Sequence, residues 1–396
     1  MKAIILENFP KEINRLIIQN LSLRKLLDLC EVSSLLKTVI RDTIWDHLIV
    51  KIKTDKHREK MCGYIKFVID NYKFTRLDFS GSSITNKHIK RLKNAEHLNN
   101  FKILEINLSN CINITKNSFK YLTDCDIVYI SEQLGIENRI KDDDLKHFEK
   151  CTKIGLDSCS LITSKGLGYM KNCKELNLFS QYLIMMSINC GQIIKQSYIF
   201  DNQLASLTNL HTIDITGHQY VTDKDLEFLS KINKINLSQC QLITDNGIGF
   251  LTSCEDLNLS ECPKIIGKNI DKLQKLHTLV LDRCYYFLDN NIKLFENMTN
   301  LTNLSLRSCS ITNTYISSLK NIHELNLSYC SRIFDDDLVH LSDIHVLTLI
   351  GSFSITNKGM DHLEKCRKII LNTKHPHITL ERTNIEYCEV NICDFF

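Results

Sequence analysis

Proline and glycine are scarce in this chain, at 3 and 13 of 396 residues. Long Pro- or Gly-rich linkers are therefore excluded. Tryptophan occurs once, at position 45. No run of about 18 uncharged apolar residues exists, so no membrane span is expected. An excess of one charge is also missing: 49 basic and 46 acidic residues leave a formal charge of +3. That balance gives no electrostatic footprint for nucleic acid or an anionic membrane, and neither is expected as a partner. The opening segment from Met1 to Leu6 meets Glu7. This is earlier than a secretory core of roughly 7–15 apolar residues allows. The expected location is the cytosol or nucleus of the cell that makes the chain.

Signatures of catalysis are missing as well. Gly267-Lys268 lacks the upstream glycine of a phosphate-cradling loop, and no H-E-x-x-H string occurs. The 14 histidines are scattered, with His340, His345 and His362 expected on exposed faces. Seventeen cysteines are present, but none form the C-x2-C pairs of a zinc site; the nearest approach is Cys388 and Cys393. A disulfide framework needs an oxidising compartment. No catalytic residue, cofactor or metal ligand is expected, and the chain reads as a binding protein rather than an enzyme.

What the chain does have is an internal repeat. Leu257-Asn258-Leu259-Ser260-Glu261-Cys262 is one copy of a phrase L-x-L-x-x-C. Ile106 to Cys111, Ile154 to Cys159, Ile235 to Cys240, Leu279 to Cys284, Leu304 to Cys309 and Leu325 to Cys330 are others. The first apolar positions Ile213, Ile235, Leu257, Leu279, Leu304, Leu325, Leu347 and Ile369 are spaced by 22, 22, 22, 25, 21, 22 and 22. In L-x-L both leucines point the same way from a strand, because side chains alternate. The Ile-Thr pair that follows, as in Ile243-Thr244, puts Ile in the core and Thr at a helix N-cap. Cysteine at the turn is small and tolerates burial.

The cysteines fall into two phases. Cys111, Cys159, Cys240, Cys262, Cys284, Cys309 and Cys330 sit at the turn. Cys125, Cys151, Cys173, Cys254 and Cys366 sit three residues before the first strand leucine. Both phases are expected to be structural. Period, phrase and phasing together resemble the cysteine-containing subclass of leucine-rich repeats. The implied fold is α/β, a solenoid with a curved parallel sheet inside and helices outside. About 13 units are expected over residues 74–396, ending in a C-terminal cap. The pattern departs at 131–150, where one unit is stretched, and at 179–207, where Leu176 to Ile213 spans 37 residues. Ser82 replaces the turn cysteine in the first repeat.

Residues 1–73 lack the repeat and read as helices. Ile13, Ile17 and Leu21 share one face; Leu26, Leu29 and Val32 share another. The string Phe9-Pro10, Glu12-Ile13, Ile17, Leu21, Leu26, Leu29, Val32-Ser33, Ile40, Asp42, Trp45 and Leu48 is similar to the F-box. The family opens with Leu-Pro where this chain has Phe9-Pro10, and Leu36 stands where it carries an aromatic. The resemblance places an all-α F-box at 1–48 and a helical connector at 49–73. It implies a Skp1-like partner, and through it a cullin–RING ubiquitin ligase. Phe9, Pro10, Ile13, Leu21, Val32 and Trp45 would form or support that contact. The combination also resembles F-box/repeat proteins of giant DNA viruses or amoebae; in a virus, the location would be the host cell.

The repeats would then hold an unknown protein substrate. Outward strand positions such as Asp214, Lys234, Asn236, Asp256, Asn258, Glu324 and Asn326 make a polar, bland sheet face. Binding hot spots favour Trp, Tyr and Arg. Those residues cluster beside the strands, and Phe179, Tyr182, Tyr220, Arg283, Tyr285, Tyr286, Arg307 and Tyr329, with Phe353, are the candidate substrate contacts. Phe287 falls at the Ile of Ile-Thr, a core position. The leading reading is a substrate-recognition adaptor of a Skp1–cullin–F-box ligase. Two alternatives remain: a decoy that occupies Skp1 without ubiquitin transfer, and a non-degradative repeat scaffold.

Overall fold

The computed structural model describes residues 23–51, 69–131, 140–159, 161–179, 204, 207–287, 289–363, 365–372, 376–378 and 386–390. They form two compact units. The first takes the described residues up to Asn177 together with 207–209, and the second takes the others from Leu178 onward.

In the first unit, helices α1 (Leu23–Val32) and α2 (Ser34–Asp42) lead into six strands. These are β1 (Ile44–Lys51), β2 (Lys73–Asp78), β3 (Glu105–Asn107), β4 (Ile127–Ser131), β5 (Lys153–Asp157) and β6 (Glu175–Asn177). Each pairs in parallel with the next. In the second unit, nine strands follow the same rule: β7 (Thr212–Asp214), β8 (Lys234–Asn236), β9 (Asp256–Asn258), β10 (Thr278–Val280), β11 (Asn303–Ser305), β12 (Glu324–Asn326), β13 (Val346–Thr348), β14 (Lys368–Asn372) and β15 (Glu386–Val390). The register stacks equivalent residues: Ile213 on Ile235, Leu257 on Leu279, Leu304 on Leu325. The inward strand residues and the Ile-Thr isoleucines Ile84, Ile114, Ile162, Ile243, Ile311 and Ile355 are buried, as is Phe287.

Threonine opens the outer segment of seven repeats, at Thr85, Thr115, Thr163, Thr222, Thr244, Thr312 and Thr356. The helices expected outside the sheet are mostly shorter than that. Asn86–Asn99 is a full helix, but Asp223–Leu226, Asp245–Ile248 and Asn357–Met360 are single α-turns, and Lys116–Tyr121, Asn313–Leu319 and Asp335–Leu341 are 3-10 segments. A 22-residue period that already supplies a strand and two turns leaves few residues, and 3-10 geometry spans more distance per residue.

The boundary at the N-terminus also moves. An all-helical 1–48 with a helical connector at 49–73 was expected, but Ile44–Lys51 is a strand paired with β2. Helix α2 is capped by Ser33, whose Oγ accepts from Leu36 N at 3.2 Å. Its buried face is Leu36, Val39 and Ile40, an i, i+3, i+4 stripe. Trp45 Nε1 donates to Ile40 O at 3.0 Å, and Thr75 Oγ1 donates to Trp45 O at 2.9 Å. Trp45 has no exposed surface and lies against Phe74, whose ring stacks on Tyr72. β-branched and aromatic residues at Ile44, Trp45, Ile49 and Val50 suit a strand. Lacking the L-x-L-x-x-C phrase, this strand carries no repeat signature.

Candidate interaction surface

Ten of the described strands are followed by a turn through one residue in left-handed backbone. These residues are Gly81, Asn110, Ser158, Gly217, Gln239, Glu261, Arg283, Ser308, Tyr329 and Gly351. Only three are glycine, although side-chain-bearing residues occupy this region at a cost of about 1–3 kcal/mol. Stacking offsets that cost. The N–H groups of Gln239, Glu261, Arg283, Ser308 and Tyr329 each donate at 2.8 Å to a carbonyl of the following repeat.

The next residue is the turn cysteine, and it is more than filler. Its thiol donates to a carbonyl of the preceding repeat: Cys111 to Phe79 at 2.9 Å, Cys262 to Leu237 at 3.1 Å, Cys284 to Leu259 at 3.0 Å, Cys309 to Leu281 at 3.0 Å and Cys330 to Leu306 at 3.2 Å. Two of the replacements keep the donor: Ser352 Oγ to Leu327 O at 2.7 Å, and His218 Nε2 to Leu178 O at 2.7 Å; Ser82 instead lies 3.8 Å from Cys111 Sγ. Burial pushes the thiols up, Cys284 to about 11 and Cys240, Cys254 and Cys330 to about 12. That is the direction opposite to an activated nucleophile. Among the described residues, no group of three His, Cys, Asp or Glu side chains could hold a metal.

The sheet face neutralises itself along its first strand position. Arg76 meets Glu105 at 3.0 Å, Lys153 meets Glu175 at 2.5 Å, and Lys234 meets Asp256 at 2.6 Å.

The turn edge of the second unit is different. Gln239 Nε2 and Arg283 Nη1 hold the two carboxylate oxygens of Glu261, at 3.1 and 3.0 Å. Asp282 stands where the two preceding repeats have Ser238 and Ser260. It accepts from Ser305 Oγ at 2.5 Å and from Arg307 N at 3.1 Å. Burial raises its carboxyl pKa above the ordinary range, against the lowering effect of those bonds and of Arg307. The Arg307 guanidinium lies over the Tyr329 ring, 5.2 Å from its centroid. Gly351 makes room for that ring, because a Cβ there would overlap it. Immediately after the turn, Tyr285 and Tyr286 are 60% and 65% exposed. Tyr220 and Phe353 project at the equivalent place in other repeats, 50% and 48% exposed.

Of the expected substrate contacts, Arg283, Tyr285, Tyr286, Arg307 and Tyr329 therefore gather in three consecutive repeats. Tyr220 lies three repeats before Tyr285 and Tyr286, and Phe179 is half-buried next to the first strand of the unit. Tyr182 lies outside the described residues, as do Phe9, Pro10, Ile13 and Leu21. Val32 ends α1. Trp45, expected to form or support the Skp1 contact, offers no surface to a partner, because the junction with β2 encloses it. Of the histidines expected on exposed faces, His340 is exposed while His345 and His362 are half-buried; what sequence reasoning missed is the phase that His345 shares with His211, His277 and His323, two residues before the first strand leucine. That phase was the available signal.

No family model and no curated protein matches the sequence. Solved structures do resemble the chain. Rad7 from yeast, solved in complex with Elc1, is 18% identical, with a TM-score of 0.51 over 90% of this chain and 93% of that one. The TLR13–ssRNA13 complex is 18% identical, with a TM-score of 0.47 over 81% of this chain and 41% of that one. An internalin from Listeria monocytogenes is 17% identical, with a TM-score of 0.44 over 68% of this chain and 82% of that one. The parallel ladders and this likeness make the fold an α/β leucine-rich-repeat solenoid.

Proposed function

We propose that this leucine-rich-repeat chain is a substrate-recognition adaptor of a Skp1–cullin–F-box ubiquitin ligase. Its N-terminal helices would bind Skp1 and its repeats a protein substrate. The observation that carries the reading is the junction between the two parts. The F-box-like string runs through α1 and the Ser33-capped α2, and passes without a linker into the first strand of the stack. Trp45 ties the two together, so a partner on the helices would be held rigidly relative to the first unit. Rad7, of like fold, was solved in complex with Elc1, which supports a repeat chain carried in an assembly.

The substrate would meet the turn edge of the second unit. Tyr285 and Tyr286 are large and exposed, with Arg283 and Arg307 in the same and the next repeat, the residue types that dominate interface energetics. No ligase chemistry falls to this chain; the transfer would belong to the other subunits. The test is a reconstituted reaction with purified Skp1, cullin, RING subunit and ubiquitin enzymes, using a protein captured by the repeats. Ubiquitin transfer onto that protein, dependent on the full chain, is the expected result. Skp1 binding with no transfer would replace the adaptor by the decoy.

A further inference from the structure

We propose that the dish before strands β11–β14 is a binding site for a phosphate monoester. It has a volume of about 390 Å³, at the small end of ligand sites. Four successive repeats build it. Thr302, His323 and His345 occupy one phase of the repeat, two residues before the first strand leucine; Asn321, Asp343 and Lys365 occupy the phase two residues earlier.

The lining is polar throughout, whereas ligand pockets are generally lined by apolar and aromatic side chains. An apolar ligand finds no wall here. The charge is basic. Lys320 and Lys365 outnumber the one carboxylate, Asp343, which is paired with Lys365 and faces both imidazoles; Lys320 enters none of the described ion pairs. The rings of His323 and His345 lie 4.8 Å apart, the spacing of adjacent strands. One ligand atom group can therefore meet donors from two repeats at once.

A phosphate monoester brings about −1.5 to −2 charges and three acceptor oxygens. That demand matches the Lys320 ammonium, two ring N–H groups and the second N–H of the Asn321 amide, whose first goes to Glu296 O at 3.5 Å; the Thr302 hydroxyl is already given to Asn303 Oδ1 at 2.9 Å. A carboxylate, with one charge and two oxygens, would leave donors unused. The dish also exceeds what inorganic phosphate fills, leaving room for the esterified group. This site goes beyond the adaptor reading and does not depend on Skp1.

The test is histidine-ring NMR on the full chain, with resonances assigned from His323→Gln and His345→Gln. The probes are inorganic phosphate, O-phosphoserine and a pentapeptide centred on phosphoserine, with sodium chloride at matched ionic strength. Saturable shifts of both rings are expected, tighter for O-phosphoserine than for inorganic phosphate. Lys320→Glu should weaken binding roughly tenfold without changing the melting temperature. Tighter binding of the pentapeptide than of O-phosphoserine would assign the site to a phosphorylated protein; equal binding would assign it to a small phosphate ester. Shifts that never saturate, that chloride reproduces, or that survive Lys320→Glu unchanged would overturn the proposal.

Discussion

The Cys262 thiol donates to the Leu237 carbonyl oxygen 3.1 Å away, in the preceding repeat. That bond separates two accounts of the turn cysteines. If cysteine only fills space, Cys262→Ala should be better tolerated than Cys262→Ser, since a buried hydroxyl without a partner is costly. If the position needs a donor, serine should be the better substitute, as Ser352 already is in its own repeat. We expect Cys262→Ala to lose about 1–3 kcal/mol and Cys262→Ser less, by urea unfolding. The reverse order would return the cysteines to the role of filler.

A second ladder runs outside the sheet. Asp223 accepts from Thr244 N at 2.7 Å and from its hydroxyl at 2.6 Å, one repeat on; Asp142 with Thr163 and Asp335 with Thr356 repeat the arrangement. Each such aspartate lies over a glycine. A Cβ on Gly247 would sit 2.5 Å from Asp223 Oδ1 and 2.8 Å from its Cα. Helix propensity favours Gly247→Ala by up to about 1 kcal/mol. The clash should win, because part of it is backbone, for a net loss of about 1–2 kcal/mol. Gly249→Ala is the control: its nearest neighbour is 3.4 Å away, so it should be neutral or stabilising. Equal thermal melts for the two variants would count against the ladder.

How far the sequence carried the fold follows from these contacts. The strands, the buried Ile of Ile-Thr, the threonine caps and both cysteine phases are periodic, so one chain compared with itself exposes them. Interactions between repeats are not local. Asp223 and Thr244 are 21 residues apart, and nothing near either marks the pair. The left-handed residue before the cysteine was invisible because Gln239, Glu261, Arg283 and Tyr329 carry none of the usual glycine signal. Strand β1 escaped because it has no turn cysteine. The exposed tyrosines were legible as residue types at a fixed phase. Asp282 as the anchor of Ser305 and Arg307 was not, since it looks like one more polar outward position.

His218 makes part of the stability pH-dependent. It takes the cysteine position, is buried, and donates from Nε2 to Leu178 O. Burial holds its pKa below the ordinary 6.5. The unfolded chain therefore binds a proton below about pH 6.5 that the folded chain resists, and stability falls with pH through that range. His218→Cys restores the usual donor and should make the loss between about pH 7 and pH 5 shallower. Parallel stability curves for the variant and the parent would remove His218 from the account.

Tyr285 and Tyr286 contribute their exposed rings to a partner rather than to the core. The double substitution Tyr285→Ala/Tyr286→Ala should leave unfolding within about 0.5 kcal/mol of the parent. It should weaken capture of a repeat-bound partner by roughly tenfold or more. Unchanged capture would move the substrate site away from this edge.

The adaptor account rests most directly on one affinity, that of purified Skp1 for the full chain, measured by titration calorimetry. Truncation at residue 48 is the wrong comparison, because it cuts the strand Ile44–Lys51 and uncovers the stack. Phe9→Ala/Pro10→Ala in the intact chain leaves that strand in place. The account predicts one-to-one binding by the parent and a loss of roughly tenfold or more in the double variant. A parent chain that shows no heat of binding to Skp1 would contradict it.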